Sequence, residues 1–345
     1  MTIDNIIITG NVSEVLNDIL NKENYSKIAV LVDENTLAHC YPLIKSNLPQ
    51  HTLIQIKSGE INKTLNTCTH VWQELTDQSF DRKSLFINLG GGVIGDLGGF
   101  CAGTYKRGID FINLPTTLLS QVDASVGGKL GIDFNGFKNH IGLFQEPKNV
   151  LIDLNFLKTL PEQELRSGFA EILKHHLIAD RTGWEGLKHK TFEAMDWTTS
   201  VPHSVQIKHK IVTEDPHESG LRKALNFGHT IGHGIESYLL NSGRAILHGE
   251  AVAAGIICEA YLSYKRELIT EEELNDITQF IQSIYEKINL SDLDREEVCN
   301  YLMQDKKNRD NNILAVLLNG IGSVVWDQSL DRQESLDSLV FYDKL

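Results

Sequence analysis

Residues 86–96 read Phe-Ile-Asn-Leu-Gly-Gly-Gly-Val-Ile-Gly-Asp, an apolar run that leads through a glycine cluster into the start of a helix. Gly90, Gly92 and Gly95 match the pattern G-x-G-x-x-G, in which bare backbone N–H groups at a helix N-terminus receive a pyrophosphate. The match alone is weak, because the run lies well past the first strand and no acidic residue stands cleanly about twenty residues on for a ribose. A tight strand-to-helix turn without a ligand explains the glycines about as well. We therefore interpret the run as a candidate for an unorthodox dinucleotide site.

Strand and helix patterns alternate around this run through the first half of the chain. We predict strands at 27–32, 51–57, 84–89 and 110–114 and helices at 64–77 and 95–104. Buried apolar strands that alternate with helices indicate a mostly parallel α/β sheet, and such sheets bind ligands beyond the carboxyl ends of their strands. One aspartate after one strand is usually a helix cap, but here polar or glycine positions follow every strand. They are Asp33, Asn35, Glu60, Lys63, Gly90–Asp96, Thr116 and Thr117.

Helical patterns dominate the chain beyond about Leu154. We predict helices at 161–179, 183–194, 200–213, 221–240, 247–267 and 271–287, with extended segments only at 313–318 and 322–326. The sequence thus predicts an α/β domain over residues 1–154 and a mainly helical domain over residues 155–345. We expect the ligand in the cleft between the two domains, a common place for a cofactor to meet a substrate.

A group of histidines between residues 226 and 250 is the clearest sign of metal chemistry. His229 and His233 are four residues apart and share one face of a helix, and His248 opens the next helical segment. Glu171 lies on an upstream helical pattern. Two or three imidazoles with one carboxylate suit zinc with a coordination position left open for substrate. A histidine pair at this spacing is, taken alone, more often structural.

The glycines around the pair add weight to the metal interpretation. Gly228, Gly232 and Gly234 remove side-chain bulk from the same segment. Each glycine in a helix interior costs about 1 kcal/mol relative to alanine, so some close approach must need them.

Composition and charge restrict the class of protein. A chain of 345 residues can bury two cores, and its hydrophobic fraction of 41% and charged fraction of 23% are ordinary for a globular protein. The net charge of -14 argues against a nucleic-acid or anionic-membrane partner, though not against a small anionic substrate held by clustered basic residues. The five cysteines are scattered without a C-x-x-C motif, the start has no secretion signal, and the apolar run 251–258 is too short to span a bilayer. These features predict a cytoplasmic protein.

Several motifs, in the right order along essentially the whole chain, resemble the 3-dehydroquinate synthase family. They are Gly90–Gly99, Arg107-Gly, the highly specific block Pro115–Lys129, Lys138-Asn139, Gly168–Lys174, Leu221–His233 and His248-Gly-Glu250. Two details depart from the commonest pattern, Phe137 before Lys138 and Leu130-Gly131 after Lys129, and neither removes a polar group.

The resemblance implies a Rossmann-like α/β domain, an α-rich second domain and a homodimer. It also implies a lyase that uses NAD and a divalent metal, zinc or cobalt. The implied reaction cyclises 3-deoxy-D-arabino-heptulosonate 7-phosphate to 3-dehydroquinate with loss of phosphate, the second step of the shikimate pathway towards chorismate and the aromatic amino acids.

The resemblance further implies roles for individual residues. The implied metal ligands are Glu171, His229 and His248. The implied catalytic and substrate-binding residues are Arg107 (across a dimer interface), Asp123, Lys129, Asn139, Lys174, Lys208, Arg222, Asn226 and His233. The implied NAD-binding residues are Asp33, Asn35, Glu60, Lys63, Gly91, Gly92, Val93, Asp96, Thr116, Thr117, Asp123, Lys129 and Lys138, with Thr159, Leu160 and Glu164 at the edge.

Three of these assignments have alternatives. His233 could be a fourth metal ligand on spacing alone, although the family pattern places it on the substrate. Lys208 could be an ordinary solvated lysine. Either Lys306 or Lys307 could be the lysine that reaches the phosphate.

Other functions also remain open at the level of sequence. A sugar-phosphate cyclase such as 2-deoxy-scyllo-inosose synthase would share NAD, metal and fold, but its substrate lacks a carboxylate. The joint presence of Lys129, Asn139 and Arg222 favours the dehydroquinate reaction. A metal-dependent alcohol or glycerol dehydrogenase would accumulate NADH. A non-catalytic metal- or nucleotide-binding protein would leave the polar set at the strand ends unexplained.

Overall fold

The computed structural model describes residues 1–135, 137–303 and 313–345, and the chain divides into two compact units, Met1–Pro161 and Glu162–Leu345. Within the described residues, no helix combines the length and the apolarity that a membrane crossing requires.

The first unit is built on a seven-stranded sheet. The described strands of the whole unit, in the sheet and outside it, are in chain order β1 (Thr2–Ile3), β2 (Ile6–Thr9), β3 (Ile28–Val32), β4 (Thr52–Gln55), β5 (Leu85–Gly90), β6 (Asp110–Pro115), β7 (Lys129–Phe134), β8 (Phe137–Phe144) and β9 (Asn149–Asp153). The sheet order is β1-β2-β9-β6-β5-β3-β4, while β7 and β8 form a separate antiparallel hairpin. Only β1 is antiparallel to its neighbour in the sheet; every other adjacent pair is parallel.

Helices cover both faces of this sheet. They are α1 (Val12–Lys22), α2 (Glu34–His39), α3 (Leu65–Asp77) and α4 (Gly92–Thr104). Alternate residues of β3 enter opposite clusters: Ala29 and Leu31 pack with residues of α3 and α4, whereas Val30 and Val32 pack with α1. Because both faces are buried, β3 is a continuous apolar run and β5 is apolar except for Asn88.

The strand order creates a crevice in the first unit. β3 lies between β4 on one side and β5 on the other. After β3 the chain adds β4 at one side of the sheet and then crosses to the other side to add β5, so the strand order reverses between β3 and β5. The carboxyl ends of the parallel strands lie at one edge, and ligands of α/β sheets bind where the order reverses.

The second unit is helical with one hairpin. Its helices are α5 (Glu162–Ala179), α6 (Arg181–Leu187), α7 (Trp197–Glu214), α8 (His229–Asn241), α9 (His248–Lys265), α10 (Glu271–Gln282), α11 (Asp292–Met303) and α12 (Arg332–Lys344). The antiparallel hairpin consists of β10 (Ile313–Leu318) and β11 (Val324–Leu330). α9 packs against α5, α8, α10, α12 and β10. The predicted fold class, a Rossmann-like α/β domain followed by an α-rich region, is confirmed.

Several predicted boundaries were wrong; for example, the helix predicted at 271–287 ends at Gln282. α4 begins at Gly92 instead of residue 95, because Gly91 is its N-cap. The segment predicted as one helix at 221–240 is a 3-10 turn, Leu221–Asn226, followed by α8, since Gly228 between them has φ +78°. The segment predicted as a helix at 183–194 is α6 followed by a short 3-10 turn at Phe192–Ala194.

Candidate active site

The glycine turn between β5 and α4 presents bare backbone to a cavity. A Cβ on Gly90 would lie 2.4 Å from Ile94, so this glycine is required by packing alone. A Cβ on Gly95 would meet no atom within 4 Å, so its face is open. The cavity is lined by the glycines and by Asn88 and Asn113 of the neighbouring strands. Exposed amides at a helix N-terminus beside such a space fit a phosphate group.

Lys63 joins two predicted site residues that are distant in sequence. Its Nζ donates hydrogen bonds to Asp96 Oδ2 and to Asn139 Oδ1, both at 2.6 Å. Lys63 is buried, and burial opposes its charge, but Asp96 and Glu60 outweigh burial and raise the pKa of Lys63. The hydrogen bonds therefore hold α4, the hairpin strand β8 and the turn after β4 in one arrangement.

Asp33 occupies the position expected of a helix cap. Its Oδ1 accepts the backbone N–H of Thr36 at 2.8 Å, and Thr36 Oγ1 in return accepts the N–H of Asp33 at 2.9 Å, which forms a capping box at the start of α2. Asn35, in the first turn of α2, is exposed. The capping interpretation thus accounts for Asp33 and leaves Asn35 available at the end of β3.

The other predicted positions of the first unit are mostly half-buried, and one of them, Arg107, is remote from the glycine turn. Thr116 is buried; Gly91, Gly92, Val93, Thr117, Asp123, Lys138 and Leu160 are half-buried; Lys129 and Thr159 are exposed. Arg107 is exposed beyond the far end of α4, about 20 Å along the helix axis from the glycine turn. The first unit does not bring Arg107 together with the rest of its predicted site.

The predicted metal ligands of the second unit converge on Glu171. Glu171 lies on α5, while His229 and His248 are the first residues of α8 and α9. Glu171 Oε1 is 3.3 Å from Nε2 of His229 and 3.6 Å from Nε2 of His248. Zinc–ligand bonds of about 2.0–2.1 Å place neighbouring donors of a tetrahedral site about 3.3 Å apart. These separations fit one shared ion.

The carboxylate of Glu171 also has the character of a ligand. Both of its oxygens are buried, and their neighbours within the described residues are the ammonium of Lys174 and the two imidazoles. Burial opposes its ionisation, but the ion pair with Lys174 and the proximity of His229 outweigh burial and keep the pKa of Glu171 well below its ordinary value. A buried, ionised carboxylate beside two imidazole nitrogens fits a divalent cation, which would bind all three groups.

The two imidazoles are oriented through their other ring nitrogens. His229 Nδ1 donates to the carbonyl of Phe227 at 3.1 Å, and His248 Nδ1 is 3.4 Å from Glu236 Oε2. Metal-binding histidines are usually held in this way. Burial and Lys174 lower the pKa of His229, whereas hydrogen bonds to Glu171 and Glu236 outweigh burial and raise the pKa of His248 to about 9.

His233 lies against the same two rings. Its ring centroid is 5.1 Å from that of His229 and 5.7 Å from that of His248. One donor atom from each of the three histidines lies within 4.8 Å of the others. Both interpretations of His233, as a fourth ligand and as a substrate contact, are compatible with this geometry.

The glycines of α8 account for the close packing around these histidines. A Cβ on Gly232 would lie 2.8 Å from the carbonyl oxygen of Ala251 in α9, and a Cβ on Gly234 would lie 2.6 Å from Leu302. Gly228 has the left-handed φ that starts α8, and a Cβ there would meet Ile256 at 2.5 Å. The close approach that the sequence predicts is therefore an α8–α9 contact at Gly228 and Gly232, which brings His229 and His233 to His248, and an α8–α11 contact at Gly234.

The sequence interpretation missed two acidic residues of this region. Glu259, fully buried on α9, accepts the backbone N–H groups of Gly228 at 2.6 Å and Ile231 at 3.1 Å. It therefore caps α8, whose glycine N-cap has no side chain to do so. Glu236 is the neighbour of His248 Nδ1 described above. An acid inside an otherwise apolar helix was the available signal for Glu259.

Three predicted cations of the second unit are buried. Lys174, Lys208 and Arg222 are 1%, 6% and 2% exposed, so Lys208 is not the solvated lysine that the alternative expected. Arg222 Nη1 donates to the carbonyl of Pro216 at 2.7 Å, and its backbone N–H donates to Asp215 Oδ2 at 3.1 Å. Burial disfavours the charge of Asp215, but the N–H groups of this loop outweigh it and lower the pKa of Asp215.

Asn226 and Glu164 are the remaining predicted positions of the second unit that the structure describes. Asn226 donates to Glu218 Oε1 at 2.7 Å, and Glu164 lies in the first turn of α5, where burial and Glu250 raise its pKa. Lys306 and Lys307 lie outside the described residues.

Comparison with known proteins supplies the family context. The family model described as 3-dehydroquinate synthase N-terminal matches residues 53–167, and the one described as 3-dehydroquinate synthase C-terminal matches residues 168–308. A curated 3-dehydroquinate synthase from Parabacteroides distasonis is 40% identical over 348 residues, covering 99% of this chain and 98% of that protein.

Solved structures show the same fold at lower identity. A 2-epi-5-epi-valiolone synthase from Streptomyces hygroscopicus with NAD+ and Zn2+ bound has a TM-score of 0.86 at 24% identity, covering 100% of this chain and 98% of that one. A 2-deoxy-scyllo-inosose synthase complexed with carbaglucose-6-phosphate, NAD+ and Co2+ has a TM-score of 0.85 at 23% identity, covering 98% and 96%.

Proposed function

Because this chain belongs to the 3-dehydroquinate synthase family, we propose that it converts 3-deoxy-D-arabino-heptulosonate 7-phosphate into 3-dehydroquinate and inorganic phosphate. The observation that carries the proposal is the convergence of His229 Nε2 and His248 Nε2 on the buried Glu171, in a unit that also buries three cations. Lyase chemistry, NAD and a divalent metal, as predicted from the sequence, go with this membership.

The metal is assigned to Glu171, His229 and His248, with His233 turned towards the substrate. The distances of 3.3 and 3.6 Å, and the acceptors that hold each Nδ1, support this ligand set. Bound at these sites, zinc or cobalt would supply Lewis-acid polarisation of a substrate hydroxyl, and NAD would supply a hydride acceptor that is regenerated within the turnover.

The substrate's carboxylate and phosphate explain why a chain of net charge -14 buries Lys174, Lys208 and Arg222. Arg222 offers a planar fork for one oxyanion, and the lysines act as point charges. Asn139 and Asn226 hold substrate hydroxyls or carboxylate oxygens as hydrogen-bond partners, while Asp123 and Lys129 serve both substrate and cofactor. Lys306 or Lys307 completes the phosphate contact in this proposal.

We assign NAD mainly to residues 1–154 and the metal to residues 155–345. Gly91, Gly92 and the Val93 backbone receive the pyrophosphate, and the open face of Gly95 beside the cavity supports this. Asp33, Asn35 and Glu60 are assigned to the adenine-ribose half, and Lys63, whose Nζ bonds Asp96 and Asn139, links this half to the nicotinamide half. Asp96, Thr116, Thr117, Asp123 and Lys138 lie on the nicotinamide side, with Thr159, Leu160 and Glu164 at the edge.

A homodimer is part of the proposal. The hairpin β7–β8 exposes Phe134, Phe137 and Phe144 by 38%, 50% and 58%, with His140 stacked on the first two. Exposed aromatic clusters mark protein contacts, and a second copy of this chain is the occupant we infer. Such a dimer would allow Arg107, which is remote from its own glycine turn, to serve the partner's site.

Light scattering tests the dimer directly. We expect twice the monomer mass for the wild type and the monomer mass for Phe144→Asp, whereas Leu240→Asp, at an exposed leucine of the second unit, should stay dimeric. A monomeric wild type would contradict this part of the proposal. We also place the enzyme in the cytoplasm, in agreement with five cysteines that are all free thiols.

The reaction itself is tested by substrate choice. Metal-loaded protein with NAD should release phosphate from 3-deoxy-D-arabino-heptulosonate 7-phosphate and not from glucose 6-phosphate, which lacks the carboxylate. Phosphate release from glucose 6-phosphate alone would instead favour a related cyclase.

A further inference from the structure

A second group of metal-type side chains lies in the helical unit, apart from the group around Glu171. It consists of His176 near the end of α5, Asp180 immediately after α5 and His203 on α7. One donor atom from each of the three lies within 4.8 Å of the others. On α5, His176 follows Glu171 by five residues and points about 140° away from it around the helix axis. The two groups therefore occupy different faces of α5.

His176 is oriented as a ligand before any ion arrives. Its Nδ1 donates to the carbonyl of Ile172 at 2.8 Å, so its Nε2 is the ring nitrogen that carries the lone pair. A backbone carbonyl on the other ring nitrogen is a common second partner of metal-binding histidines. Burial is the largest effect on the pKa of His176 and lowers it, as do His203 and Lys190. The hydrogen bond to the Ile172 carbonyl and the carboxylate of Asp180 act in the opposite direction, but the pKa is lowered on balance. The imidazole is thus kept neutral.

Asp180 supplies a carboxylate with two separate tasks. Its Oδ1 accepts the N–H of Gly183 at 2.9 Å and caps α6, while its Oδ2 is 2.6 Å from Nε2 of His203. Burial disfavours the charge of Asp180, but Gly183 and His203 outweigh burial and lower its pKa. The side chain of His203 is 42% exposed, so it can turn to admit an ion between itself and Asp180.

Gly183 makes room for this arrangement. A Cβ at this position would lie 2.1 Å from Asp180 Oδ2 and 2.5 Å from Cδ2 of His176. No other residue type fits without displacing two of the three donors. The glycine is thus a second feature of the cluster, because its missing side chain lets Asp180 and His176 approach each other.

We propose that His176, Asp180 and His203 bind a second divalent cation of the zinc, nickel or copper class, with water completing its coordination. The ion would tie α5 to α7, two helices that also carry Glu171, Lys174 and Lys208. Its role is to stabilise this helix pair, and it takes no part in the reaction. The inference stands independently of the proposed function. The competing arrangement is a metal-free ion pair between His203 and Asp180.

The test is the zinc stoichiometry of chelator-treated, metal-free full-length protein, by calorimetry and by elemental analysis after buffer exchange. We expect two equivalents for the wild type and one for His203→Ala and for Asp180→Asn, which keeps a good helix cap but loses the charge. Gly183→Ala should also bind one equivalent although it removes no donor. The matched control is His189→Ala, an exposed histidine outside the cluster, which should bind two.

His248→Ala separates this site from the proposed active site. This variant should keep the zinc ion at His176, Asp180 and His203, and zinc should still raise its melting temperature. In the double variant His203→Ala, His248→Ala, zinc should not raise the melting temperature. The proposal would be overturned if the wild type bound one zinc equivalent and His203→Ala still bound it. It would also be overturned if His203→Ala bound two zinc equivalents. One equivalent lost in His203→Ala but kept in His248→Ala would uphold it and refute the metal centre at Glu171. Circular dichroism of each metal-free variant confirms that the comparison is made on folded protein.

Discussion

Replacing Gly232 by alanine tests whether the contact between α8 and α9 sets the geometry of the metal ligands. The added Cβ would lie 2.8 Å from the carbonyl oxygen of Ala251 and 3.3 Å from Cα of Val252. Ordinary van der Waals contact begins at 3.4 Å, so the helices must separate by about 0.6 Å. All the opposing atoms belong to the backbone, and no change of rotamer relieves the clash. His229 and His248 lie on the two separated helices.

Two free energies oppose each other in this variant. Overpacking costs about 1–3 kcal/mol, while alanine's better helix propensity returns about 1 kcal/mol. The free energy of unfolding should therefore fall by up to about 2 kcal/mol. Metal sites tolerate ligand displacements of only about 0.2 Å, and indirect disturbance of ligands typically lowers metal affinity about 10–100-fold. We expect the loss of zinc affinity to be the larger effect.

The assay is a zinc titration of metal-free protein against a competing chelator, together with thermal unfolding of the same sample. The control is Gly186→Ala on α6, where a Cβ would meet no atom within 4 Å. It should leave zinc affinity unchanged and raise the free energy of unfolding by about 1 kcal/mol. A Gly232→Ala protein with wild-type zinc affinity would refute the reasoning.

Three further predictions concern the metal, the substrate and pH. His248→Ala should lose the metal at Glu171 and all turnover, by elemental analysis and phosphate release, and full activity in the variant would contradict the ligand assignment. Arg222→Lys keeps the charge but loses the planar fork, so transition-state binding should weaken by about 1.5–3 kcal/mol in kcat/KM, whereas unchanged KM and kcat would place Arg222 outside the site. The hydrogen bond from Arg244 outweighs burial and, with that from Tyr238, lowers the pKa of Asp294 in the folded protein. The stability that Asp294 contributes is therefore fully present above its unfolded pKa of about 3.9, and it is lost as the pH falls through the lower folded pKa. In urea unfolding, Asp294→Asn should be less stable than wild type by about 1 kcal/mol at pH 7, a modest loss because the partner Arg244 is half exposed. The difference in stability should shrink below pH 4, and a difference that is constant with pH would show that the charge of Asp294 is irrelevant.

Some elements that follow from local pattern were predicted, but helices α1, α11 and α12 were missed, although the capping box at Asp331 is a local signal for α12. β3 is a continuous apolar run, and β5 and β6 are mostly apolar around Asn88 and Asn113, which indicates buried parallel strands without knowledge of their neighbours. The hairpin β7–β8 was missed because Gly131 and Gly142 weaken its strand pattern. A Cβ on Gly142 would lie 2.2 Å from the carbonyl oxygen of Leu130, so the same glycines are what allow the two strands to pair.

The candidate site shows the same division. The spacing of His229 and His233 indicates a shared helix face, but nothing local says that α9 brings His248 to them or that α5 brings Glu171. The sequence singled out both residues, but their assignment as ligands came from the motif resemblance. Glu259 could not be assigned, because its task, the capping of α8 from another helix, exists only after α8 and α9 have packed.

The fate of the hydride tests the central claim most directly. Metal-loaded protein is mixed with excess 3-deoxy-D-arabino-heptulosonate 7-phosphate and substoichiometric NAD, and phosphate and the absorbance of NADH are followed together. We predict many molecules of phosphate per NAD and no lasting NADH, because the hydride returns to the substrate within each turnover. NADH that accumulates in step with product, without release of phosphate, would contradict the cyclase and identify a dehydrogenase.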